Sequence, residues 1–172
     1  MCSSDLNVGC GQSIPDAISS KEHFDNVFSQ NFEVAVNAAR EFLPLIIKSK
    51  GNILFISSIA GVEAFGAPVD YSVAKAAVIS FSKNIAGKLA MDHVRVNCIA
   101  PGNVYFKSGS WDERMKADPQ RIEKLIEANV PMNRFGTPEE VANIVVFICS
   151  EKASLLNGVS LSADGAQSRS II

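Results

Sequence analysis

The sequence predicts an α/β domain built on a parallel sheet. Two observations carry this. Short apolar runs of strand length alternate along the chain with longer stretches of helical periodicity, the order expected of strand–helix–strand crossovers. Ile53-Leu54-Phe55-Ile56 is a continuous apolar run, the mark of a strand buried on both faces.

Residues 1–20 are polar and rich in Ser and Gly, with an apolar patch only at residues 6–8, so they hold no more than a strand stub. A helix is expected over residues 20–49. Ser20 can cap it, and Phe24, Val27, Phe28, Phe32, Ala35, Val36, Ala39, Phe42 and Leu43 recur at helical spacing. Gly51 stops it. Ile53-Leu54-Phe55-Ile56 is a strand, followed by a loop with Gly61, Gly66 and Pro68. Residues 69–91 form a second long helix, apolar on more than one face, which implies burial on two sides. A strand over residues 94–100 ends at Pro101-Gly102. Residues 103–136 are irregular and polar, with one amphipathic stretch at Arg121, Ile122, Leu125 and Ile126. Thr137-Pro138-Glu139-Glu140 combines a Thr cap, a proline in the first helical position and a glutamate three residues past the cap. A helix therefore starts there and runs to about residue 150. Residues 159–162 make a last short strand.

The 172 residues fit one domain. Hydrophobic residues make up 47 % and charged residues 20 %, the balance of a folded chain and not of a disordered one. A net charge of −2 is too even for a nucleic-acid footprint. No apolar run approaches the ~20 residues that span a bilayer, and the first residues lack the pattern of a signal peptide. Cys2, Cys10, Cys98 and Cys149 lie far apart with no CxxC pair, which argues against a zinc site or disulfide scaffold and for reduced thiols in a cytoplasm. Cys98 and Cys149 fall in apolar runs, as small core residues. His23 and His93 fall at a helix start and a helix-to-strand turn, where surface positions are expected. No metal site is expected.

In open parallel sheets, ligands sit beyond the carboxyl ends of the strands. That rule singles out Ser57-Ser58, Pro101-Gly102-Asn103, and Asn7 and Gly9 after the stub. Tyr71 and Lys75, four apart at a helix start, share a face. A cation close to a phenol favours the phenolate and lowers a pKa that is ordinarily near 10. A tyrosine so tuned trades a proton with a substrate oxygen. Alone, the Tyr-x-x-x-Lys spacing is common by chance. Ser58, thirteen residues before Tyr71 and at a strand end, is placed to bond the same oxygen.

An ordered set of segments now resembles the short-chain dehydrogenase/reductase family. They are Asn7-Val8-Gly9, Asn31 inside the first helix, Gly51-Asn52-Ile53-Leu54-Phe55-Ile56-Ser57-Ser58-Ile59-Ala60-Gly61 and Tyr71-Ser72-Val73-Ala74-Lys75-Ala76-Ala77. Val94-Arg95-Val96-Asn97-Cys98-Ile99-Ala100-Pro101-Gly102, Arg134-Phe135-Gly136-Thr137-Pro138-Glu139-Glu140-Val141-Ala142 and Asp164-Gly165 complete the set. The resemblance runs from about residue 6 to the C-terminus. It implies the C-terminal two thirds of a Rossmann-type doubly wound parallel sheet, and hydride transfer between NAD or NADP and a carbonyl or secondary alcohol. It also implies the roles. Tyr71 is the general acid/base, Lys75 lowers its pKa and holds the nicotinamide ribose, and Ser58 donates to the substrate oxygen. Asn31 holds a water in the proton relay. Asn7, Gly9 and the Pro101-Gly102-Asn103-Val104 backbone meet the cofactor together with Tyr71 and Lys75. Residues 20–49 and 69–91 resemble the helices through which relatives form homodimers and homotetramers.

Two departures stand out. Phe106 occupies a position where many relatives have a cofactor-bonding Thr, inside a region, residues 103–136 with Tyr105 and Trp111, that resembles the substrate lid. The strand, Gly-rich turn and helix that bind the pyrophosphate are not supplied. Gly9-Cys10-Gly11 is the only candidate, and Ile14 stands where a third glycine belongs. About 80–90 residues of leading strands and helices are therefore expected to be missing, at ~30 per unit, and residues 1–6 are read as non-native. The partial domain over residues 1–172 is expected to be inactive alone, and the choice of NAD or NADP stays open. Three other readings compete for the same residues. Ser72-Val73-Ala74-Lys75 fits the S-x-x-K of penicillin-recognising enzymes, but Ser29-Gln30-Asn31 precedes it where the order requires the reverse. An epimerase or dehydratase would use the same Tyr–Lys pair. An inactive fragment or pseudoenzyme would serve only in oligomerisation.

Overall fold

The computed structural model describes residues 3–6, 14 and 16–171. Four strands form one all-parallel sheet in chain order: β1 (Ser3–Leu6), β2 (Asn52–Ile56), β3 (Arg95–Pro101) and β4 (Ser160–Ala163). Six α-helices are described: α1 (Lys21–Phe28), α2 (Val34–Ser49), α3 (Val69–Leu89), α4 (Ser110–Ala117), α5 (Pro119–Asn129) and α6 (Pro138–Cys149).

Period-two alternation along the strands divides the core. Ile53, Phe55, Val96 and Cys98 pack with Ala35, Ala39 and Ile46 of α2 and with Val78 and Ala86 of α3. Leu54 and Ile99 point the other way, onto Ile148 of α6. The sheet is thus covered by helices on both faces, which is why residues 53–56 of β2 and 98–100 of β3 are unbroken apolar runs. Asn97 is buried within β3. Its side chain donates to Leu156 O at 2.9 Å and accepts from Val159 N at 3.0 Å, which seats β4 beside β3.

Two expectations are corrected. Residues 20–49 are not one regular helix: a π-turn, Ser29–Glu33, separates α1 from α2. Residues 103–136 hold two helices, α4 and α5, with a small core of their own in which Ile122, Val130 and Phe135 are buried and Trp111 packs at the side. The expected strand stub is the four-residue β1, which pairs along its length with residues 52–55. The capping box at α6 is present as expected. Thr137 accepts from Glu140 N at 3.3 Å, and Glu140 accepts from Thr137 N at 2.9 Å.

Candidate active site

Ser58, Tyr71 and Lys75 come together where β2 ends and α3 begins. Ser57 and Ser58 leave β2. Ser57 N donates to Ile99 O of β3 at 2.7 Å, and its hydroxyl donates to Lys75 O at 2.7 Å. Ser58 is extended and caps the 3-10 turn Ile59–Gly61 by accepting from Ala60 N at 3.2 Å. That turn lies hard against α3: a Cβ on Gly61 would stand 2.6 Å from the Lys75 carbonyl carbon and 2.7 Å from Ala76 N. Only a glycine permits this approach, and through it the strand end fixes the height of Lys75.

Lys75 is buried. Its ammonium donates to Ile56 O at 3.2 Å and lies 5.6 Å from the centre of the Tyr71 ring. Burial lowers its pKa below the ordinary lysine value. Tyr71 is half-buried, and burial raises its pKa, against a hydrogen bond from Ser58 that lowers it. Lys75 is expected to lower the phenol's pKa; here burial is the larger cause and raises it. Among the described residues Lys75 meets a single acceptor, so two of its N–H donors remain for a ligand such as a ribose diol. Such donors fit the hydroxyls of a ribose.

Asn31 is buried within the π-turn, donating to Val27 O at 2.9 Å, and that turn packs against α3. Single π-turns within helices recur at functional sites. Pro101 ends β3, and Gly102, Asn103 and Val104 follow it, pinned on both sides. Gly102 N donates to Ala163 O at 3.0 Å, Asn103 N to the Gln167 side chain at 3.2 Å, and Gly136 N to Asn103 O at 2.9 Å. Val104 bridges Gly136 and lines a cavity of ≈ 400 Å³ with Asn103, Arg134, Ser162 and Asp164. Asn7 and Gly9 lie outside the described residues.

Two contacts escaped the sequence reading. His23, expected at the surface, is half-buried with Nε2 3.4 Å from Asp70, a buried carboxylate that directly precedes Tyr71. Asp112, in a stretch read as irregular, is buried and collects Tyr105, Ser108 and Lys116.

Ser58, Tyr71 and Lys75 are gathered at the carboxyl end of a parallel α/β sheet, the edge where sheets of this class hold their ligands. The profile of the family described as enoyl-(acyl carrier protein) reductase matches residues 7–166. The chain belongs to the short-chain dehydrogenase/reductase family, whose members are NAD(P)-dependent oxidoreductases. It is 33 % identical over 149 residues to dehydrogenase/reductase SDR family member 4 of Rattus norvegicus, covering 85 % of this chain and 51 % of that protein. It is 32 % identical over 146 residues to a 3-oxoacyl-(acyl-carrier-protein) reductase of Thermotoga maritima, covering 84 % of this chain and 57 % of that one. L-sorbose reductase of Gluconobacter frateurii, solved with NADPH and L-sorbose, superposes with a TM-score of 0.89 at 28 % identity. That match covers 98 % of this chain and 67 % of the other. The chain spans about half the length of the curated relatives it matches. No described helix is long and apolar enough to cross a membrane.

Proposed function

We propose that this chain carries the proton-transfer half of an oxidoreductase acting on a carbonyl or secondary alcohol. The observation that carries the reading is the convergence of Ser58, Tyr71 and Lys75 at one strand end. NAD or NADP, when bound, supplies or accepts the hydride. Lys75 and Tyr71 would hold its ribose, and the backbone of residues 101–104 its carboxamide. Tyr71 gives a proton to the substrate oxygen or takes one from it. With its pKa raised, the phenol keeps its proton at neutral pH, the form that a carbonyl reduction consumes. Ser58 donates to the same oxygen and stabilises the charge that develops there. Asn31 holds a water behind Lys75 and so connects the site to solvent.

Residues 103–136 form the lid over the substrate. Apolar stripes on the helices of residues 20–49 and 69–91, including Phe42, Leu45, Val69 and Val73, carry a homodimer or homotetramer in the cytoplasm. The sequence contains no Gly-rich strand–turn–helix, so the 172-residue chain alone is expected to be inactive and to bind NAD(P)H weakly. The test joins that segment from a reductase relative to the N-terminus and follows NAD(P)H oxidation with ketone substrates. Turnover in the extended chain supports the reading. Cofactor binding without turnover of any ketone or secondary alcohol favours the alternative, a pseudoenzyme that acts in oligomerisation.

A further inference from the structure

A buried carboxylate with three hydrogen-bond donors lies outside the candidate proton-transfer site. Asp112, 4 % exposed, takes three donors on its two oxygens. Tyr105 Oη donates to Oδ1 at 2.8 Å, while Ser108 N at 2.8 Å and Lys116 Nζ at 2.6 Å both donate to Oδ2. Two of these donors belong to the loop that follows Val104, and the third comes from the same helix as Asp112, one turn on. A carboxylate placed in this way staples the loop to α4.

The loop it holds would not keep its shape unaided. Ser108 sits at φ 66°, in the left-handed region that non-glycine residues avoid. Gly109 N closes a turn onto Phe106 O at 3.1 Å. The Phe106 ring lies so close over Gly109 that a Cβ there would meet it at 2.7–2.9 Å. Phe106 is left 52 % exposed, two residues beyond Val104 and its cavity. The other side of α4 is anchored by Trp111, whose ring centroid is 4.7 Å from that of Phe135.

We propose that Asp112 is the positioning residue of the lid: it clamps the turn of residues 105–109 onto α4 before any ligand arrives, and so presents the Phe106 ring at the edge of the site. A lid preorganised in this way forgoes the ordering cost that a loop folding on its ligand must meet. The inference rests on reading residues 103–136 as the lid, yet its test needs neither cofactor nor turnover. Failure of the oxidoreductase reading leaves the measurement intact.

Lys107 stands exposed in the clamped turn, and cleavage after it by trypsin reports how often the turn opens. Lys50, exposed at the end of α2, serves as an internal control for general loss of fold. Removing charge-assisted bonds to one carboxylate predicts cleavage after Lys107 about tenfold faster in Asp112→Asn than in the unaltered chain, with cleavage after Lys50 unchanged. Trp111, the one tryptophan of the sequence, becomes about twice as accessible to acrylamide. Tyr105→Phe, which leaves the carboxylate and two donors in place, gives a smaller acceleration of about two- to threefold and keeps the test open if Asp112→Asn fails to fold. Unaltered cleavage after Lys107 in Tyr105→Phe, or equal acceleration at Lys50 and Lys107 in a folded Asp112→Asn, overturns the proposal.

Discussion

At the scale of the residue, the candidate site is governed by burial. Tyr71 and Lys75 both lose solvent, so each is driven toward its neutral form. The sequence has two tyrosines, so Tyr105→Phe leaves Tyr71 as the sole phenol to titrate. Ultraviolet titration of that variant should give a midpoint above the ordinary 10.0, and adding Ser58→Ala should raise it further, because the Ser58 hydrogen bond favours the phenolate. A midpoint below 10 in the unliganded chain contradicts this ordering of causes. Asp112 behaves oppositely: the Lys116, Ser108 and Tyr105 hydrogen bonds hold its carboxyl down to about 2. A free aspartate titrates near 3.9. The folded chain therefore binds fewer protons than the unfolded one between these values, and stability rises with pH there. The contribution of Asp112 is complete above about pH 4 and is lost as the pH falls toward 2. The difference in urea midpoint between the unaltered chain and Asp112→Asn should be the same at pH 7 and pH 5, and should shrink by pH 3.

At the scale of the element, the site depends on how closely the turn after β2 meets α3. Gly61→Ala drives a methyl into the Lys75 backbone. Overpacking of this kind costs about 1–3 kcal/mol, and here the strain falls on the turn that carries Lys75, so thermal stability and cofactor affinity of the extended chain should fall together. Thr137→Ala removes one half of the α6 capping box and should cost about 1 kcal/mol by urea unfolding. The cap was legible in the sequence because it is local chemistry: cap, proline and glutamate are adjacent. Strand β2 was legible for a similar reason, since burial on both faces leaves the unbroken apolar run of residues 53–56. The start of α5 carries the same kind of signal in Asp118-Pro119, where Asp118 accepts from Arg121 N at 3.1 Å, but the polar surroundings masked it. The π-turn at Asn31 has no comparable local signature. It is a register change within a helix whose apolar spacing continues on either side. The meeting of Ser58 with Tyr71 was inferred from spacing and family resemblance. The burial of Tyr71, the first cause of its raised pKa, belongs to tertiary packing alone.

At the scale of the whole molecule, the chain exposes 10486 Å², about a quarter more than the ~8,200 Å² expected of a compact protein of this mass. Part of that surface is apolar and ordered: Phe42 and Leu45 on α2, with Val69 and Val73 on α3, stand about half exposed. If these stripes carry the dimer, Phe42→Asp with Val73→Asp should convert a species of twice 18.4 kDa to one of 18.4 kDa by light scattering, with the helical circular dichroism retained. A monomeric unaltered chain would contradict the assignment of that face. The same breadth of the molecule bears on catalysis, because the proposed proton-transfer residues lie in a chain that spans about half the length of the curated relatives it matches. The decisive measurement is the turnover of Tyr71→Phe against its parent in the chain extended by the nucleotide-binding segment, with NAD(P)H and a ketone in common. Loss of a positioned general acid predicts a fall of about 10²–10⁴ in kcat with little change in cofactor affinity. A Tyr71→Phe enzyme that turns over as fast as its parent would contradict the account.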